Sequence, residues 1–217
     1  MHLINDAVKP WDDLNRLLAK PFAYNPEYSD ITRLAKGIAV AIKHMAEASG
    51  VGRRVADKES FENCVISDVA DAWKHGSKKL KDPTRQNEMH VSSRFEFNQK
   101  NEMRFVRNRV VIEHVTHGSV DFMVSSRNAL RYWLRKTNAQ LSWSGAILEG
   151  PLLFLSHATV YYDPAQQLDM SSIRLETVQR GSNGVLHLTD CPQITLVVVD
   201  FNQTSFKSLP EPILGQD

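Results

Sequence analysis

Two carboxylates, an amine and an imidazole fall within eight residues at Asp68-x-x-Asp71-x-x-Lys74-His75. On a helix, at 100° per residue, Asp68 and His75 project only about 20° apart. Cys64 and Asp71 lie just beside them, on the flank of an apolar stripe. Two carboxylates and an imidazole so placed can bind a divalent metal or divide proton transfer between base and acid, the chemistry of a hydrolase or nuclease. The same residues also have structural uses. Asp71 and His75 form an i, i+4 pair, a histidine in a last helical turn meets the helix dipole favourably, and Asp68 can pair with Arg33 or Lys36 of the preceding helix.

Basic residues supply the second candidate. Residues 73–138 hold 14 of the 26 Lys and Arg but only 6 of the 25 Asp and Glu, so this stretch carries +8 and the remainder −7. Arg127, Arg131 and Arg135 recur at i, i+4 and i+8, which stacks them along one side of a helix with Lys136 nearby. Arg94, Arg104, Arg107 and Arg109 come from neighbouring strands, and Lys78, Lys79, Lys81 and Arg85 from a polar connector. Facing one way, they track a phosphate backbone or an acidic protein surface, and arginine suits bidentate phosphate contacts. The −7 remainder of a second copy offers the same complement, so a homo-oligomer is a third partner class.

Other chemistries find little footing. Leu155-Ser156-His157 lacks a glycine-flanked nucleophile elbow, and no G-x4-G-K-[ST] or G-x-G-x-x-G is present. Gly181-Ser-Asn-Gly184 is explained by a hairpin turn. His114-x-x-His117 has no second well-spaced pair, although His90, His157 or His187 could in principle join it. No metal and no cofactor is expected. Zinc-finger, RNP and GXXG signatures are lacking as well.

Asp68-Val-Ala-Asp-Ala-Trp-Lys-His75 resembles a D-x-A-D-x-x-K-H helix seen in some uncharacterised bacterial proteins that combine helices with strands. The resemblance covers eight residues; it implies a bacterial or phage-related origin and joint importance for Asp68, Asp71, Lys74 and His75, but no reaction. Arg109-x4-His114 is similar in spacing to the R-x4-H ribonuclease motif of HEPN proteins, where it sits on a helix. Here its β-branched surroundings predict a strand, which sends Arg109 and His114 to opposite faces.

These residues need elements to position them. Trp11, Leu14, Leu17 and Leu18 predict a short helix after Pro10 that stops near Pro21. Ile31, Leu34, Ile38, Ala41, Ile42 and Met45 predict a core helix from Ser29 or Asp30 to Gly50. A third is expected over about 58–75, ending at Gly76. From Met89 the period becomes two, predicting a strand through Phe97 with Met89, Val91, Ser93, Phe95 and Phe97 on one face. A second strand over about 102–117 changes phase near Arg107-Asn108, which predicts a bulge. Val120, Phe122 and Val124 read as a third strand, followed by a helix capped at Ser125 or Ser126 and reaching Thr137. Further strands are expected over 152–162, 173–179, 185–189 and 194–201, mostly antiparallel.

The order of elements argues for one α+β domain over 1–204, with N-terminal helices packed on a mostly antiparallel sheet and one inserted helix. It divides into a helical part (1–76), a connector (77–87) and a strand-rich part (88–204), with a tail at 205–217. Cys64 and Cys191 lack metal or redox spacing, and the N-terminus lacks a basic segment followed by a long apolar run, so a cytoplasmic protein without membrane insertion is expected. The leading functional expectation is a non-catalytic nucleic-acid-associated or assembly module binding through Arg104, Arg107, Arg109, Arg127, Arg131, Arg135 and Lys136. The alternatives are a metal-assisted hydrolase or nuclease using Asp68, Asp71 and His75, and a structural subunit of a larger complex.

Overall fold

A computed structural model describes residues 3–20, 27–75, 88–156, 159–162, 173–190 and 195–198. The expected connector at 77–87 and tail at 205–217 lie outside the described residues.

The apolar periodicity of the first third becomes a helical layer. A π-helical turn at Ile4–Val8 leads into α1 (Lys9–Leu18), which buries Trp11, Leu14 and Leu18. Next comes α2 (Glu27–Ala48), whose Ile31, Ile38 and Ile42 are fully buried and whose Ala35 and Ala39 allow a neighbour close approach. The expected third helix, over about 58–75, is α4 (Phe61–His75), and a short helix that the periodicity did not predict, α3 (Arg53–Glu59), precedes it. Ser60 separates them: its backbone is extended, and its Oγ accepts from Asn63 N at 3.3 Å as an N-cap does. Val65, Ile66, Val69 and Ala70 of α4 then close on α2.

Strands β1 (Glu88–Phe97), β2 (Met103–His114) and β3 (Gly118–Asp121) form an antiparallel meander. The expected bulge is present. Arg94 pairs with Arg107 and Phe95 with Phe105, so Val106 is the extra residue, and the phase change places Met103 and Phe105 on the face of Val110 and Ile112. Val91, Val110 and Ile112 of that face join the core with the helices, while Phe95, Phe97, Met103 and Phe105 form a second cluster of their own. The expected half-buried strand is buried on both sides, because His90, Ser92 and Glu96 on the opposite face of β1 are also buried.

The third strand is shorter than its alternation suggests. Asp121, not Ser125 or Ser126, caps α5 (Phe122–Lys136) by accepting from Val124 N at 3.1 Å. Phe122 and Met123 therefore enter the core from the first helical turn. Ser126 lies within the helix, donating to Phe122 O at 2.6 Å and accepting from Trp11 Nε1 at 3.0 Å.

After α5, the segment 139–156 crosses α1 and follows the outer edge of β2. Asn15 of α1 donates to Ala146 O at 2.8 Å and accepts from Leu148 N at 3.2 Å, and Met103 and Leu155 exchange backbone bonds of 2.9 and 2.8 Å. The remaining strands are β4 (Thr159–Tyr162), β5 (Ile173–Arg180), β6 (Leu186–Leu188) and β7 (Thr195–Val198). The main sheet runs β3-β2-β1-β5-β6, antiparallel except where β5 lies parallel to β1, and β4 pairs with β7 in parallel. The architecture is α+β, with N-terminal helices and one helix between strands. No helix among the described residues is long and apolar enough to cross a membrane.

Candidate functional site

The acidic face of α4 meets cations from two neighbouring helices. Lys43 of α2 bonds Asp71 Oδ1, while Arg53 of α3 reaches Asp71 Oδ2 at 2.8 Å, Asp68 Oδ1 at 3.4 Å and Asp57 Oδ2 at 3.4 Å. Burial alone would raise the Asp71 pKa, but bonds from Lys43 and Arg53 outweigh it and hold the carboxyl below its ordinary value. Asp57 moves the other way, raised by burial against the pull of Arg53 and by the nearby Asp68 charge. Lys74 is exposed, and the His75 side chain lies outside the described residues.

A different histidine stands next to this cluster. His114, at the end of β2, is buried with Nε2 3.6 Å from Asp68 Oδ2. Thr116 N donates to its Nδ1 at 3.2 Å, which puts the ring proton on Nε2, facing Asp68. His117 stacks on it at 4.6 Å and in turn meets Phe61 edge-on at 4.7 Å. Burial and the neighbouring His117 lower the His114 pKa against the attraction of Asp68. Neither ring nitrogen is free to abstract a proton in this arrangement, and both Asp71 oxygens are engaged. Among the described residues no three His, Cys, Asp or Glu side chains are grouped to hold a metal.

The strand arginines turn inward upon carboxylates that sequence reasoning overlooked. Arg104 is 1% exposed and donates to Glu96 Oε2 and Glu149 Oε2, both at 2.6 Å. Arg180 joins the same two acids at 2.9 and 3.1 Å. Arg109 bonds Asp121 Oδ2 and Glu176 Oε2, each at 2.8 Å, and Arg94 reaches Glu176 at 2.7 Å. Burial would raise Glu176, but the Ser92 hydroxyl with Arg109 and Arg94 outweighs it and the pKa falls. The available signal was alternation: Ser92, Arg94 and Glu96 share one face of β1, and register sets Arg94 opposite Glu176. Arg107 is 5% exposed and bonds neutral acceptors only. Arg104, Arg107 and Arg109 thus present no basic surface, since desolvated guanidinium groups in a sheet require acceptors within the fold.

The α5 cations stand apart from this network. Lys136 pairs with Glu59 at 2.6 Å. Arg127 is half-buried, its stem so close to Gly145 that a Cβ there would lie 3.0 Å from its Cγ. Arg131 is exposed, with one bond to Ser144 O. Arg135 is exposed, and its side chain forms no ion pair or hydrogen bond among the described residues. Lys78, Lys79, Lys81 and Arg85 lie outside them.

Compared with protein-family models, curated proteins and solved structures, the chain matches none.

Proposed function

We propose that the protein is a non-catalytic binding module that contacts nucleic acid through the exposed edge of α5, with Arg131 and Arg135 as phosphate-contacting residues. The observation that carries this reading is that the two arginines stand one helical turn apart, exposed and without a carboxylate partner, whereas their counterparts on β2 are internal. The engagement of Asp68, Asp71 and His114 in internal contacts favours it over hydrolysis. The resemblance of the α4 segment to bacterial helices goes with a bacterial or phage system, and the absence of metal or redox spacing between Cys64 and Cys191 goes with a cytoplasmic setting.

The test is binding to single- and double-stranded DNA and RNA at several salt concentrations. The expected result is salt-sensitive affinity whose log–log slope falls by about 2 in the Arg131→Glu/Arg135→Glu double variant. Absence of affinity at low salt, or an unchanged slope in the variant, overturns the reading.

A second reading, assembly with another protein, is favoured by a separate observation. Leu152, Leu153 and Leu155 are 82%, 62% and 53% exposed beside the edge of β2. Leu152→Asp/Leu153→Asp should then abolish a complex seen by mass measurement with native partners while leaving nucleic-acid affinity intact. A complex that persists in this variant counts against it.

A further inference from the structure

The exposed cations of α5 have neighbours on another helix. Lys136 pairs with Glu59 at 2.6 Å, Tyr132 Oη donates to the same carboxylate at 2.8 Å, and Asn128 Nδ2 donates to Glu62 Oε1 at 3.1 Å. These bonds hold one flank of α5 against the junction of α3 and α4, and Arg135 projects between that flank and Arg131. On α3, Arg54 and Lys58 stand one helical turn apart, both exposed, and their side chains form no ion pair or hydrogen bond among the described residues. Carboxylates do not cancel the group. Glu59 is answered by Lys136, Asp57 bonds Arg53, and Glu62 accepts from the neutral Ser60 Oγ and Asn128, so Arg54, Lys58, Arg131, Arg135 and Lys136 outnumber Glu59 and Glu62.

An exposed ring sits at the same junction. Phe61 opens α4, follows Lys58 by three residues and is 49% exposed. His117, itself exposed, meets this ring edge-on at 4.7 Å and stacks at 4.6 Å on the buried His114, so a series of ring contacts fixes Phe61 to the end of β2. Val55 of α3 and Val115 of the β2–β3 turn, 48% and 50% exposed, add apolar surface on either side. Exposed apolar surface rimmed by cations marks a place of contact. The rings of α5 itself, Phe122, Tyr132 and Trp133, are buried and unable to meet a base. A duplex offers such a surface its phosphates, with the bases stacked inside. A single strand offers phosphates and free bases together, and free bases stack on an aromatic side chain beside a row of cations.

We infer that the ligand of this surface is single-stranded nucleic acid, with Arg54 and Lys58 contacting phosphates alongside Arg131 and Arg135, and with the Phe61 ring stacking on a base. The inference rests on the nucleic-acid reading of α5 and adds to it the class of strand and three residues that lie outside the basic stretch 73–138.

Equilibrium binding of the full chain to oligothymidine, oligouridine and a DNA duplex of equal length tests it, with the fold of each variant checked by its Tm. Phe61→Ala is expected to weaken binding to the preferred single strand about tenfold and to leave duplex binding unchanged, and Phe61→Trp to restore the affinity. Arg54→Glu/Lys58→Glu should lower the log–log salt slope on the single strand by roughly 1.4. A folded Phe61→Ala variant with wild-type affinity for the single strand, an equal loss on the duplex, or an unchanged slope in the α3 variant overturns the inference. If Arg131→Glu/Arg135→Glu still lowers the slope in that case, the α5 reading survives without it. A wild-type protein that binds none of the three at low salt overturns both.

Discussion

At the scale of the residue, His114 shows how neighbours choose a protonation state. The ring is buried, its Nδ1 accepts from Thr116 N, and Asp68 faces Nε2 from 3.6 Å, too far for a full hydrogen bond. Burial and the stacked His117 prevail, so the folded pKa lies below the ordinary 6.5. The unfolded chain therefore takes up the proton first as pH falls, and stability drops from about pH 6.5 downward until the folded group also titrates. Denaturant midpoints measured between pH 8 and pH 5 should show a shallower fall for His114→Gln than for wild type. An equal fall would place the pH sensitivity elsewhere. Asp71, Glu149 and Glu176 act in a lower window, because their depressed folded values stabilise the protein above the ordinary carboxylate range and that stability is lost as pH falls through them.

At the scale of the element, Asp121 joins two structures by ending β3, capping α5 and bonding Arg109. Asp121→Asn keeps an acceptor for Val124 N but loses the charge facing Arg109, whereas Asp121→Ala loses both. Urea unfolding should find Asp121→Ala less stable by roughly 2–3 kcal/mol and Asp121→Asn intermediate. Equal stabilities would mean that neither contact matters. The apolar stripes of α1 and α2, the alternation of β1 and the bulge in β2 were legible because each is a local pattern of side chains against one repeating backbone. The start of α5 was not. Val120, Phe122 and Val124 alternate like a strand, and Phe122 becomes helical because the core takes it up there. Ser60 was likewise hidden, since a capping serine within an apolar period reads as one more helical residue.

At the scale of the whole molecule, the segment after α5 holds the helical layer to the sheet by close backbone approach. A Cβ on Gly150 would stand 2.8 Å from Phe105 Cδ1 and 3.0 Å from Phe105 O. Gly150→Ala should cost about 1–3 kcal/mol in urea unfolding, and a neutral outcome would show that the segment can lift from β2. Charge is the other whole-molecule property. The salt slope of nucleic-acid binding should reflect exposed cations such as Arg131 and Arg135 and exclude the internal arginines; loss of slope in an Arg109 variant that remains folded would contradict that division.

Composition and periodicity by themselves determined the α+β class, most of the elements and the concentration of basic residues between 73 and 138, because these depend on neighbours along the chain. Only the tertiary structure decided which arginines reach water. Glu176 lies 82 residues from Arg94 and 67 from Arg109, and the pairing of β5 with β1 sets them together. A charge is a surface feature or an internal one according to its distance from opposite charges, and a linear sequence does not contain that distance.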